Sequence, residues 1–394
     1  MKRGIVVFMI CLFVLCAASV AFAAEARTSG LFTYEIKGNG TTVITDYDWK
    51  NHGKEDLYIP NMLDGYTITG IGDNAFQKHV EDTYAYLRDQ SIMVKLPESI
   101  VSIGEKAFFE CYCIKAINIP ASVKIIGAGA FAGTSIICNV DSQNDTFTTV
   151  DDVLYNKKNR ELMFIPNGST ALEEGNLFYS KFVIPEGIES VGGYAFYHRM
   201  TLVVVPSTIR YIKDYAFCGA RLGGVSVFPE SLESIGKCAF KDAGEPGSLD
   251  CQNTPLTTIP ESAFESVDVY GMQLPKTIRS IGDCAFKNAQ CQKVAIQEGV
   301  ESIGISAFEG AYCDREITLP NTLKSIGDKA FANALALEQI TIPTSVNAIG
   351  EDVFDRTKVT LVVEPGSYAE TWATENGYMI AKQGGDDTSW LNYD

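Results

Sequence analysis

A six-residue pattern, Ile-Gly-x-x-Ala-Phe, recurs down almost the whole chain, most plainly at Ile326-Gly327-Asp328-Lys329-Ala330-Phe331. The loosely held copies end at Phe76, Phe108, Phe131, Phe196, Phe217, Phe240, Phe264, Phe286, Phe308, Phe331 and Phe354. From Phe196 onward the Phe-to-Phe steps are 21, 23, 24, 22, 22, 23 and 23 residues. Most copies follow an apolar residue and a proline, as in Leu319-Pro320, so the full unit reads Ile-x-Leu-Pro-x-x-Leu-x-x-Ile-Gly-x-x-Ala-Phe. A period of this size means a solenoid, in which no unit can bury its apolar face alone. Stacked units share one continuous core, so the 394 residues form one repeat domain rather than the two or three that length allows.

Each position in the unit has a physical task. In Glu316-Ile317-Thr318-Leu319-Pro320 the apolar residues alternate, which buries one face of a short strand and wets the other. Proline ends the strand because it has no N–H for the next ladder step. Leu323 and Ile326 point inward as the chain turns back. Gly327 suits a tight corner through its small size and its access to backbone angles other residues avoid. Ala330 and Phe331 fill the interior, and Phe stacked on Phe predicts an aromatic spine. The same register in every unit implies a parallel sheet with one strand per unit. Eleven units then make a stack roughly 50 Å long.

The ends and two irregular steps depart from the period. Residues 31–59 read as an N-terminal cap: Phe32–Ile36 alternates, Gly38-Asn39-Gly40 turns, and Thr42–Thr45 returns as the second strand of a hairpin. Residues 60–358 carry the repeats. The 32-residue step from Phe76 to Phe108 contains a polar excursion from Gln77 to Ser91. The 65-residue step from Phe131 to Phe196 is close to three periods, with two strands expected around the polar turn of 153–166. Residues 359–381 read as a C-terminal cap. It consists of a strand at Val359–Val363, then a helix N-capped by Ser367 and stopped by Asn376-Gly377, with Tyr368 and Trp372 on one face. The polar tail is 384–394.

Residues 1–24 read as a signal peptide: Lys2-Arg3, an uncharged apolar run from Ile5 to Val20, and the small-x-small site Ala21-Phe22-Ala23. The domain then spans 25–383, and the expected location is extracellular or at the cell surface. No later segment is long and apolar enough to span a membrane. The formal charge is −17, and cleavage removes Lys2 and Arg3 to leave −19. A chain this acidic is excluded from non-specific binding to nucleic acid or an anionic membrane surface. Eleven cysteines lose Cys11 and Cys16 with the signal, and the odd remainder leaves at least one thiol without an intramolecular partner. Cys238 and Cys284 share the slot before Ala-Phe and read as small core or near-core residues. Cys291 and Cys313 lie five residues after their motif Phe in neighbouring units, within reach of a disulfide if the units stack.

No constellation for catalysis or a cofactor stands out. His52, His79 and His198 are far apart in the stack. Cys111-Tyr112-Cys113 lacks a second cysteine pair at zinc spacing, and Asp141, Asp145, Asp151 and Asp152 lack the spacing of a calcium loop. The expectation is therefore a non-enzyme without cofactor or metal that works through a surface. The residue two before each proline faces outward on the sheet. That row is Lys95, Asn118, Val183, Val204, Val227, Gln273, Ala295 (before Gln297), Thr318 and Thr341. Its centre is apolar, a property that marks partner sites, although valine also suits strands for its own sake.

The Ile-Pro-x-x-Val/Ile-x-x-Ile-Gly-x-x-Ala-Phe units resemble the BspA-like leucine-rich repeat family of bacterial surface and secreted proteins. Asn144–Phe147 leading to Val153–Asn156, and the closing Glu364–Glu370, strengthen the resemblance, which covers roughly 31–381. It implies a right-handed, mainly β leucine-rich-repeat stack with a parallel sheet on its concave face. It also implies binding and adhesion toward a protein or glycan on a host or bacterial surface, and carries no catalytic motif. The chain departs from the pattern at Ile212-Lys213, Ile259-Pro260 and Gln297. A structural spacer in an extracellular layer is the alternative reading of the same features.

Overall fold

The computed structural model describes residues 26–381, apart from 39, 54, 78–90, 168, 170, 173–179, 223–224, 245–247, 270, 292–295 and 313. The signal segment, the polar tail, most of the 77–91 excursion, Ala295 and the expected Cys291–Cys313 bridge lie outside the described residues. The described chain is a mainly β parallel solenoid of about 13 turns. The altered 131–196 segment contributes turns beyond the eleven that end in a motif Phe.

Most units contribute two short strands where one was expected, and some add a third after the phenylalanine, as in Asp268–Val269 paired with Gln290–Cys291. The strand before proline forms a first parallel ladder, as in Glu316–Thr318, Gln339–Ile342 and Thr360–Val363, with Thr318 opposite Thr341 opposite Val362. The residue pair before the hexad glycine forms a second, as in Ser280–Ile281, Ser302–Ile303, Ser325–Ile326 and Ala348–Ile349. Leu323 and Ile326 do point inward and are buried. Ser325–Ile326 nevertheless pairs on both sides, because a turning backbone must still place its N–H and C=O groups.

The phenylalanines form the expected spine. From Phe196 to Phe354 consecutive rings stack with centroids 4.7–5.6 Å apart and planes within 17° of parallel. Phe76, Phe108 and Phe131 form a separate stack. Between the two stacks, Phe164 leans on Phe131 at 52° and Phe182 meets Phe196 edge-on. The spine ends are closed by other aromatics. Trp49 donates its indole N–H to the Phe76 carbonyl at 3.0 Å, and Trp372 and Tyr378 pack edge-on against Phe354.

The hexad glycine serves close approach rather than unusual angles. A Cβ at Gly304 would sit 2.6 Å from the Asp283 nitrogen, and one at Gly327 would sit 2.7 Å from the Gly304 carbonyl carbon. The left-handed residue is two places later: φ is +54° at Ser306, +56° at Lys329 and +49° at Asp352. Cys238 and Cys284 occupy this slot, at +52° and +54°. They are half-buried corner residues and not core. The residue after the glycine also carries a repeated contact. Asp73, Asp214, Asp283 and Asp328 each accept from a backbone N–H of the next unit at 2.7–2.9 Å.

The departures from the repeat have local causes. Pro260 stands where a glycine N–H donates in other units, and the second ladder breaks there, between Ser234–Ile235 and Thr258–Ile259. Lys213 keeps the glycine hydrogen bond, Lys213 N to the Val191 carbonyl at 2.9 Å. Its side chain crosses to Glu161, whose two carboxylate oxygens accept from Nζ at 2.8 Å. Gln297 replaces a proline, and its amide donates to the Leu274 carbonyl at 3.0 Å.

The caps match the expected kinds with two differences. The Phe32–Ile36 and Thr42–Tyr47 hairpin gains a third strand, Arg27–Ser29, and joins the second ladder. The helix Tyr368–Glu375 is N-capped by Ser367, but only Trp372 packs inward while Tyr368 is exposed.

Two stability measurements follow from these contacts. Gly304→Ala should destabilise the chain by about 1–3 kcal/mol, since main-chain atoms cannot yield, whereas Lys329→Gly should be neutral or stabilising by up to about 1 kcal/mol by removing a left-handed side chain. Denaturant titration of both variants checks this, and equal losses would restore the backbone-angle explanation. Lys213→Met should cost about 1–3 kcal/mol because it strands the buried Glu161 carboxylate. The same titration should show part of that loss recovered in the Lys213→Met, Glu161→Gln double variant.

Candidate functional site

The first ladder places the predicted outward row on one sheet face. Lys95 pairs with Asn118, Val183 with Val204, and Thr318 with Thr341. Val227 and Gln273 flank Asp250 in register. Val183, Val204 and Val227 are 41%, 39% and 56% exposed, large values for valine on a sheet. Gln273 and Thr318 are exposed, and Lys95, Asn118 and Thr341 are half-buried. The alternation explains this outcome: Val94, Ile117, Phe182, Val203, Met272 and Ile340, each one residue before a row position, fill the core.

Four further residues share the row. Tyr58 sits opposite Lys95, Asn139 opposite Asn118, Asp250 between Val227 and Gln273, and Val362 opposite Thr341. Tyr58 precedes Pro60 by two and obeys the same rule. Asn139, Asp250 and Val362 belong to strands without the usual proline, so the proline spacing could not find them.

The face changes chemistry along its length. At one end Lys95 Nζ lies 4.7 Å from the Tyr58 ring centroid and donates to its hydroxyl at 3.1 Å. Asn139 then donates to Asn118 at 3.2 Å. The valines come next in chain order: Val183 pairs with Val204, and the Met200–Val204 strand touches Val225–Val227 without pairing to it. Asp250, Gln273, Thr318 and Thr341 follow with polar groups, and Val362 ends the row. The middle is thus a flat apolar strip between hydrogen-bonding ends.

Four of the residues weighed for chemistry make structural contacts, and His79 lies outside the described residues. Asp145 takes Lys124 at 2.7 Å and Lys158 at 3.4 Å. The Lys124 hydrogen bond, then that of Thr146, holds its carboxyl well below the usual range. Asp141 accepts from the Gln143 N–H at 2.7 Å, as a turn residue does. The Cys111 thiol donates to the Phe76 carbonyl. His52 meets the Tyr47 hydroxyl at 2.6 Å, and burial lowers its pKa. Among the described residues, no group of three or more His, Cys, Asp or Glu side chains could hold a metal ion. No helix among them is long and apolar enough to cross a membrane.

A stack of short parallel strands, repeated every 21–24 residues and spined by phenylalanine, defines a leucine-rich-repeat solenoid. The family described as BspA type leucine rich repeat region matches residues 81–202, 175–290 and 245–360. The chain belongs to that family.

Similar solved structures include a leucine rich cell surface protein from Faecalibacterium prausnitzii, 21% identical over 91% of this chain and 98% of that one, with a TM-score of 0.45. A leucine-rich repeat protein from Eubacterium ventriosum is 18% identical over 91% and 95%, with a TM-score of 0.47. The pneumococcal vaccine antigen PcpA is 16% identical over 92% and 99%, with a TM-score of 0.37. No curated protein matches the chain.

The thiols offer a check on the packing around this face. Cys138 and Cys251 point inward from the first-ladder side and are buried. Burial pushes the Cys251 thiol up to about 12 and raises Cys138 further. A thiolate is the reactive form, so neither should be alkylated by iodoacetamide at pH 8 until the chain unfolds. Mass spectrometry of pulse-labelled protein reads this site by site, and native labelling at either thiol would contradict the packing.

Proposed function

We propose that this chain is an exported interaction protein whose first-ladder face holds a protein or glycan ligand on a host or bacterial surface. The observation that carries the reading is the strip Val183–Val204–Val227. It is apolar and exposed, with Val183 paired to Val204 and the Val204 strand in contact with that of Val227, and contiguous exposed apolar surface marks partner sites. Its flanks, Tyr58 through Asn139 on one side and Asp250 through Thr341 on the other, supply the polar rim that such sites carry. The family supports an interaction role, and the signal-like residues 1–24 support secretion or cell-surface display. The acidity argues against nucleic acid as the partner.

The test uses the purified chain, whole bacterial and host cells, and extracted matrix and glycan. Saturable binding is expected to at least one of these materials. Val204→Glu places a charge at the centre of the strip and should weaken that binding about tenfold or more. The melting temperature should hold, because Val204 already faces water. Saturable binding untouched by Val204→Glu excludes the strip as the contact. Absence of saturable binding to every material favours the spacer role.

A further inference from the structure

At every regular step of the second ladder, two carbonyls of one unit accept two backbone N–H groups of the next. The Val101 and Ile103 carbonyls take Lys124 N and Gly127 N at 2.8 Å, and the Glu301 and Ile303 carbonyls take Lys324 N and Gly327 N at 2.8 Å. The following step is missing at Ile125–Ile126. Among the described residues its only strand partner is Ser102–Ile103, and no backbone N–H is placed on the Lys124 or Ile126 carbonyl. The next strand of the series, Ser190–Val191, pairs instead with Glu161–Phe164. At the corner, however, the units still meet, with Gly129 N donating to the Gly193 carbonyl at 3.2 Å. The stack is therefore closed at the corner and wedged open at the second ladder.

The wedge is a cleft of about 300 Å³. One wall is the free edge of Lys124–Gly127, the other carries Asn156, Asn159 and Met163, and Gly192, Gly193 and Tyr194 lie at the corner. Its charges are matched internally, Lys213 with Glu161 and Lys124 with Asp145. What the free edge offers is main-chain carbonyls at ladder spacing. A second feature singles out the same strand. The slot before the hexad isoleucine is serine at 102, 190, 234, 280, 302 and 325, and Gly70, Tyr211, Thr258 or Ala348 in four more units, whereas this unit carries a branched aliphatic, Ile125, which is 60% exposed. An apolar residue at an open edge strand prefers an apolar cross-strand neighbour, and unprotected edges of this kind template an added strand.

We propose that the cleft is a second binding site that takes an extended peptide segment of a partner protein. The peptide lies parallel to Ile125–Ile126, donates two N–H groups to the Lys124 and Ile126 carbonyls, and sets an apolar side chain beside Ile125. This is strand addition, in which main-chain bonds give affinity and one side-chain position gives selectivity. It is separate from the valine strip and stands whether or not the strip binds.

The test selects a phage-displayed random library of peptides roughly 12 residues long against the full chain. Peptides enriched on the wild type are then measured by fluorescence anisotropy. Asn159→Trp should fill the cleft and weaken them about tenfold or more, while Val204→Glu should leave them unchanged. Synthetic copies N-methylated at the two donor positions should lose a similar factor against the wild-type chain, which keeps the test independent of any variant's folding. Failure to enrich any peptide overturns the proposal. So does enrichment of peptides that tolerate both Asn159→Trp and N-methylation at every donor position.

Discussion

The structure depends on the contact between the backbone of one unit and that of the next at the hexad corner. The glycine brings main chains so close that a Cβ at Gly127 would lie 2.4 Å from the Glu105 nitrogen. At that spacing the Phe N–H of one unit reaches the Ala carbonyl of the next, as in Phe217 N to Ala239 at 2.7 Å and Phe308 N to Ala330 at 2.7 Å. These bonds are buried, so they cannot be exchanged for water, and leaving one unmade is expensive. The ring stacking of the spine follows from the same spacing: residues held in one register by the backbone must place their rings in one column. Ala at the preceding position is then the residue that leaves room for the chain to pass.

Much of this was legible in the sequence because it repeats. The period fixed the architecture, and alternation in Glu316–Leu319 told inward from outward, which is why all eight described row residues named from sequence are at least partly exposed. What was illegible depends on contacts between units rather than within one. The second ladder is two residues long in each unit, too short for alternation to register. Sequence reading offers the glycine two reasons, small size and unusual backbone angles, because both ask for the same residue; the structure keeps the first, and the left-handed +56° lies at Lys329. The aspartates that cap the next unit's N–H groups recur at Asp73, Asp214, Asp283 and Asp328, a signal present in the sequence but hidden among variable positions.

The irregular positions are coupled in a way no single unit reveals. Lys213 occupies a glycine slot, and the unit before it carries two glycines, Gly192 and Gly193. A Cβ at Gly193 would lie 2.9 Å from the Asp214 carbonyl oxygen, and one at Gly192 would lie 2.9 Å from Glu161 Oε1. The second glycine therefore makes room for the backbone that follows the lysine, and the first makes room for the Leu162 carbonyl and for the carboxylate that the lysine neutralises. Asn144 plays a similar part across the altered segment. Elsewhere a Ser or Thr two residues after proline donates to the preceding unit, as Thr322 does to the Val300 carbonyl at 2.8 Å. Here the Asn144 amide donates to the Pro120 and Val123 carbonyls instead. A lone substitution would break the stack, whereas these sets of residues replace one complete hydrogen-bond scheme with another.

This saturation constrains recognition. Along a regular stretch the ladder carbonyls are committed to N–H groups of the next unit, so outward side chains are what it offers a ligand, and Val183, Val204 and Val227 are exposed apolar ones on the first ladder. Main-chain recognition needs an interrupted step with room beside it. Pro260 also interrupts a step while the corner bond persists, Cys238 N to the Glu261 carbonyl at 3.1 Å, but there the cause is a missing N–H and no hairpin is inserted. The hairpin at 153–164 interrupts a step and also holds the walls apart. The two sites we propose thus use different chemistry, side chains on the first ladder and backbone on the second. A partner chosen by one has no physical reason to be chosen by the other.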